Sequence, residues 1–146
     1  MTNIAVISIG SNIGPEKNAK KALRLLASAH KILAKSAFIR TKPLGFKKQP
    51  DFLNAVALIR TRMPRAKLNR WLKKTEKELG RVRAKIKGGP RTIDLDVIVW
   101  NSKIVHPDFT RKWFVKKSMK KILQAIKKVF AGHKKPGWLQ TLGEEP

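Results

Sequence analysis

The stretch Gly88-Gly89-Pro90-Arg91-Thr92-Ile93-Asp94-Leu95-Asp96-Val97-Ile98-Val99-Trp100 admits few conformations. A glycine pair before proline interrupts any helix or strand, and the β-branched run that follows reads as a strand. Side chains two apart on a strand share a face. Asp94 and Asp96 therefore project together, while Leu95, Val97 and Val99 suit a core. Neighbouring carboxylates raise each other's pKa unless positive charge lies between them. Two arrangements supply that charge. One is a hard cation such as Mg²⁺, which takes oxygen ligands and also holds phosphate oxygens; the other is a shell of Lys and Arg, which are abundant here.

The 146 residues carry a net charge of +25, and 91–110 is a stretch without a positive balance. Such an excess attracts polyanions: nucleotides, nucleic acid or anionic surfaces. There is no cysteine, which excludes disulfides and thiolate metal sites. No run approaches the roughly 18 apolar residues that would span a bilayer. The apolar N-terminus lacks a basic lead-in, so no signal peptide is expected and a cytoplasmic protein is.

Thr2 to Ile9 reads as a buried strand. The Gly10-Ser11-Asn12-Ile13-Gly14-Pro15 turn after it is either a plain turn or a weak phosphate cradle of backbone N–H groups. A helix from Glu16 has its apolar stripe at Ala19, Ala22, Leu23, Leu26, Ala29, Ile32 and Leu33. Lys35 to Lys42 is a second strand, and 43–51 a Pro/Gly-bounded loop. Phe52 to Arg62 is apolar on both faces, as a central strand is, with Asn54 the polar exception that needs partners. Pro64 opens a second helix, packed through Leu68, Trp71, Leu72, Thr75 and Leu79 and ended by Gly80. Glu76 sits near its C-terminal end, where the helix dipole disfavours a carboxylate, so a partner is expected. Residues 81–89 form a basic loop, expected to be mobile without ligand. A short strand at Ile104-Val105 and a basic amphipathic helix over 115–130 follow, then a loose tail. The order is β-α-β-β-α-β plus a C-terminal helix: an α+β, ferredoxin-like sandwich with helices on one face.

Five motifs in order carry a family likeness. They are Gly10-Ser11-Asn12; Phe38-x-x-Thr41-x-Pro43-x-Gly45; Gln49-Pro50-Asp51-Phe52-x-Asn54; Glu76-x-x-Leu79-Gly80-Arg81-x-Arg83; and Lys87-x-Gly89-Pro90-Arg91-x-x-Asp94-Leu95-Asp96-Val97-Ile98. Over roughly residues 3 to 100 the chain resembles the 6-hydroxymethyl-7,8-dihydropterin pyrophosphokinases, which move a diphosphate from ATP to a pterin in folate biosynthesis. The length and pattern of the chain suggest a single domain over 1–130, with 131–146 a loosely ordered tail.

The resemblance implies roles. Asp94 and Asp96 would hold two Mg²⁺ ions, and Arg81 and Arg91 would act on the phosphates with Arg83 assisting. Phe52 would stack on the pterin opposite Phe114, and Asn54 would hydrogen-bond the ring. Thr41 and the backbone at Lys42 and Leu44 would complete the pocket. Glu76, Arg83, Val97, His106 and Lys112 would bind the nucleotide. The partners implied are the pterin and ATP, with the protein a monomer.

Four departures bear on the nucleotide end; the first is Lys73, which stands where a neutral polar residue can contact the nucleotide. The interval from Asp96 to His106 is shorter than is usual in the family, which removes part of a hairpin that carries nucleotide contacts. Lys112 replaces an expected Arg and is not an equivalent phosphate clamp. The usual apolar, proline-bearing continuation after Val115 is replaced by Lys116-Lys117-Ser118-Met119-Lys120-Lys121. The alternatives are a weakened pyrophosphokinase homologue and a nucleic-acid-binding module, which would need exposed aromatics on adjacent central strands.

Overall fold

The computed structural model describes residues 2–81 and 89–143. Its elements are β1 (Asn3–Ser11), α1 (Pro15–Ala29), β2 (Lys31–Lys35), β3 (Ile39–Thr41), β4 (Phe52–Thr61), α2 (Arg65–Glu78), β5 (Asp94–Trp100), β6 (Lys103–Ile104), α3 (Asp108–Arg111), α4 (Trp113–Lys121), α5 (Leu123–Val129) and α6 (Trp138–Gly143). They form an α+β fold on one antiparallel sheet of order β2-β4-β1-β5-β6, with β3 also on β4. The doubly apolar β4 lies inside the sheet, between β1 and the pair β2 and β3.

Two hydrophobic layers flank the sheet. Ala5, Ile7, Ile9, Ala57, Ile59, Leu95 and Val97 meet Ala22, Leu26, Leu68 and Leu72 of α1 and α2. On the other face Val6, Val56, Leu58, Ile98 and Val99 meet Phe114, Val115, Met119, Ile122 and Ile126 of α4 and α5. Both faces are thus covered, where the sequence pattern suggests helices on one. Each fully buried Leu or Ile contributes on the order of 1.5–3 kcal/mol.

Val99 does not share the face of Leu95 and Val97. Ile7 pairs with Val97 but Val6 with Val99, so β5 carries one extra residue there. This β-bulge reverses the alternation and turns Val99 toward α4 and α5, while Asp94 and Asp96 keep their common face.

Other differences have local causes. The first helix stops at Ala29, and Ile32 belongs to β2, where it pairs with Ile59. The expected strand over 35–42 is interrupted at Ser36, whose Oγ accepts the Val56 N–H at 2.9 Å while its own N–H donates to Val56 O. The expected 115–130 helix is divided at Ile122. Where a loose tail is expected, α6 buries Leu139 and Leu142, and Trp138 Nε1 donates to Ser102 O at 2.9 Å. No helix among the described residues is long and apolar enough to cross a membrane.

His30 joins α1 to the sheet. Its Nδ1 lies 2.8 Å from Thr61 Oγ1, its ring stands edge-on to Trp71 at 4.6 Å, and its Nε2 is buried without a partner. Burial lowers its pKa below the ordinary 6.5, so the unfolded chain takes up this proton more readily. The associated stability is present above about pH 6.5 and is lost as pH falls toward the folded value. Thermal melts from about pH 7.5 to about pH 5.5 should show a smaller fall in Tm for His30→Gln than for the parent.

Candidate active site

The free edge of β5 is closed by side chains of α2. Leu95 points its N–H and C=O away from β1; Glu76 Oε2 accepts the N–H at 2.8 Å, and Lys73 Nζ donates to the C=O at 3.4 Å. Glu76 is 4 % exposed. Its other oxygen lies 2.9 Å from Arg81 Nη1. Burial raises its pKa against the opposing pull of the Leu95 N–H, Lys73 and Arg81.

Arg81 reaches this place through the end of α2. Gly80 adopts φ 87°, its N–H donates to Lys77 O, and the Arg81 N–H donates to Glu76 O. This is a Schellman closure, which needs a left-handed residue and so favours glycine. The guanidinium then lies 2.9 Å from Asp94 Oδ1, while Arg91 Nη1 lies 3.0 Å from Asp94 Oδ2. Burial alone would raise the Asp94 pKa, but Arg91 and Arg81 hold it below the usual carboxylate range. Asp96 is raised by burial and by the Asp94 charge, since Lys73 and His106, 3.5 and 3.8 Å away, only partly offset them. The two acids are unequally paired: Asp94 has two arginines at 2.9 and 3.0 Å, Asp96 only the longer contacts of Lys73 and His106.

A second set of contacts holds the surrounding loops. Asn12, 3 % exposed, accepts the Arg91 N–H at 2.9 Å and donates to Gln49 Oε1 and Pro50 O at 2.8 and 3.0 Å. Ser11 Oγ donates to Thr92 O. The Gly-Ser-Asn turn thus fastens two loops with its side chains, and the backbone N–H of Asn12 donates to Arg91 O at 3.2 Å. Between those loops and α4 lies a cavity of about 160 Å³, lined by Gly10, Thr41, Lys42, Leu44, Gly45, Phe52, Asn54, Arg91, Asp94, Lys112 and Phe114. Asn54 Nδ2 donates to Thr41 Oγ1 at 2.7 Å, and the Arg91 guanidinium stands 5.6 Å from the Phe52 ring centre. A Cβ on Gly10 would come within 3.0 Å of Asn54 Oδ1, so glycine there makes room for the amide.

With this geometry in view, similarity to known proteins decides the relationship. The family model for 7,8-dihydro-6-hydroxymethylpterin-pyrophosphokinase matches residues 6–124. The chain belongs to this family. It is 39 % identical over 105 residues to the 2-amino-4-hydroxy-6-hydroxymethyldihydropteridine pyrophosphokinase of Haemophilus influenzae, covering 69 % of this chain and 64 % of that protein. Against the enzyme of the same name from Bacillus subtilis it is 34 % identical over 139 residues, 88 % of this chain and 83 % of that one. The folic acid synthesis protein fol1 of Schizosaccharomyces pombe is 40 % identical over 100 residues, 66 % of this chain but 14 % of that longer protein.

Thr41, Lys42, Leu44, Phe52, Asn54 and Phe114, which the family likeness groups as one pocket, line one cavity, and Arg91, Asp94 and Lys112 border it. Arg81, Glu76, Asp96 and His106 gather at its β5 edge. Val97 does not join them: it is 5 % exposed, with its side chain in the α1/α2 layer. Glu76, grouped with the nucleotide residues, is buried with both carboxylate oxygens engaged by the protein. Arg83 and the rest of the basic loop over 82–88 lie outside the described residues.

Sequence reasoning overlooked Asp108 and the clamp function of Asn12. Asp108 lies 3.1 Å from Lys112 Nζ, and its N–H donates to His106 Nδ1 at 3.0 Å. That bond makes Nδ1 an acceptor, so a neutral ring carries its proton on Nε2, toward Asp96. The signal was the four-residue spacing of Asp108 and Lys112. The shortened interval after Asp96 resolves into a two-residue turn, with Asn101 at φ 54° accepting the Ile4 N–H at 2.9 Å.

Removing the Glu76 carboxylate leaves the Leu95 N–H without its acceptor and Arg81 with Asp94 alone. Glu76→Ala should cost about 1–3 kcal/mol in urea denaturation, and Glu76→Gln, which keeps an acceptor for Leu95, distinctly less.

Proposed function

We propose that the chain transfers a diphosphate from ATP to 6-hydroxymethyl-7,8-dihydropterin, giving the pterin diphosphate and AMP. One observation carries this reading: a single cavity holds an aromatic and amide set suited to a flat heterocycle, and Asp94 with Arg91 stands at its border. Phe52 and Phe114 offer two faces for a ring, and Asn54, oriented by Thr41, offers an amide to its edge. The relatives' names support the same substrate.

The donor set fits a hard divalent ion. Asp94 and Asp96 share a face, both are carboxylates partly open to solvent, and the contacts of Asp96 with Lys73 and His106 are long, at 3.5 and 3.8 Å. We assign these two residues to hold two Mg²⁺ ions, which when bound would neutralise triphosphate charge. The arginines supply the rest. Arg81 and Arg91, now on Asp94, become available to phosphate oxygens once another cation takes over that carboxylate, and guanidinium forks match phosphate geometry. The pterin hydroxymethyl oxygen, losing its proton to solvent, attacks the β-phosphorus in line as the bond from that phosphorus to the α-phosphate oxygen breaks, and AMP leaves with that oxygen. The work of the protein is positioning and charge stabilisation. His106 and Lys112, arranged by Asp108, face the same side and suit phosphate contacts, with Arg83 as a further cation. We place the protein in the cytoplasm, as a monomer.

The nucleic-acid alternative lacks the platform it needs. Helices cover both faces of the central strands β1 and β4, whereas that mode of recognition stacks bases on exposed strand aromatics. Coupled detection of AMP formation tests the enzyme reading: Asp94→Ala and Asp96→Ala should each lower turnover at least about 100-fold, and Asn54→Ala should mainly raise KM for the pterin. Turnover unchanged in Asp96→Ala would sink it.

A further inference from the structure

Lys73 has no part in the reaction as described, yet its Nζ lies 3.1 Å from Glu76 Oε2, 3.4 Å from Leu95 O and 3.5 Å from Asp96 Oδ1. It differs from the other cations at the acid pair. Arg81 is 28 % exposed and Arg91 20 %, with contacts to Asp94 at 2.9 and 3.0 Å; the Lys73 side chain is 55 % exposed and its contact with Asp96 is longer. At that range its hold on Asp96 is weak, and its shorter contact is with Glu76. It also has somewhere to go, because an open groove of about 370 Å³ along α2, bounded by Asn69, Arg70, Lys73, Lys74 and Lys77, lies beside its flexible stem. Its ammonium lies within 3.5 Å of the Asp96 oxygen that a divalent ion on that carboxylate would approach.

We propose that Lys73 is a resident counter-cation of Asp96, one that a divalent ion must displace, so that it sets the affinity of the acid pair for metal. The inference rests on the reading of Asp94 and Asp96 as metal ligands. With the site empty, Lys73 keeps two adjacent carboxylates tolerable beside the buried Glu76. When a divalent ion arrives, like charge on Lys73 opposes it until the side chain swings into the groove. Losing that opposition raises metal affinity, which damage to the fold would not do.

The test is titration of the intact protein with Mn²⁺ alone, followed by water-proton relaxation, with Asp96→Asn as the reference for the site. Lys73→Gln should bind Mn²⁺ about three- to tenfold more tightly, the effect of one unit charge a few ångströms away in a wet site. Lys73→Arg, which keeps the charge, and Lys74→Gln, the same charge change one residue along the helix, should both stay within about twofold of the parent. Unchanged or weaker binding in Lys73→Gln, or an equal gain in Lys74→Gln, overturns the proposal while the metal reading stands. Binding that survives Asp96→Asn undiminished overturns the metal reading itself, and this inference with it.

Discussion

The buried Glu76 carboxylate stands where a neighbouring strand would otherwise be. Beyond the short β6 pairing, β5 is an edge, and an edge exposes unpaired backbone groups. A helix side chain covers Leu95 and, from the same carboxylate, reaches the cation that serves Asp94. Desolvating a carboxylate is costly, and the cost is tolerable only when its oxygens are engaged. Here they are, and helix, strand edge and acid pair are held by one group. Glu76 therefore precedes the rest of the site in the order of physical dependence.

The loops depend on a different residue with a similar economy of contacts. Asn12 ends β1 and binds both the segment at Arg91 and the one at Gln49 and Pro50. The walls of the cavity are thus joined before any ligand arrives, which reduces the ordering entropy that binding would otherwise cost. Ser11, pinned to Thr92, serves the same junction from the neighbouring position.

Periodicity made the α+β class, the two major helices, the central β4 and the acid pair legible, because each of those follows from alternation or a 3.6-residue stripe. The cavity set around Phe52 and Asn54 was legible through motifs, since spacing alone does not say that Thr41, Phe114 and Asp94 meet. What stayed hidden was tertiary in origin. Ile32 fits a helical stripe as well as a strand, and pairing with Ile59 decides the matter. Ser36 interrupts a strand by lending its hydroxyl to a neighbour's backbone, which no propensity encodes. The short α6 has too few apolar residues to signal itself, and is held by what Leu139, Leu142 and Trp138 touch. The side chain of Val97 lies in the α1/α2 layer, because a motif position does not specify which face of a strand its side chain takes.

The extra residue in β5 acts like a frameshift within a strand. Upstream of it, even-numbered positions carry the acids toward one layer; downstream, Val99 turns to that layer and Trp100 to the opposite one. Ile98 is the residue passed over in the pairing: without it Val97, Val99 and Trp100 would still oppose Ile7, Val6 and Ala5, now in unbroken alternation. What the extra position adds is one more fully buried side chain on the α4/α5 layer, next to Val99, with the acids left on their own face.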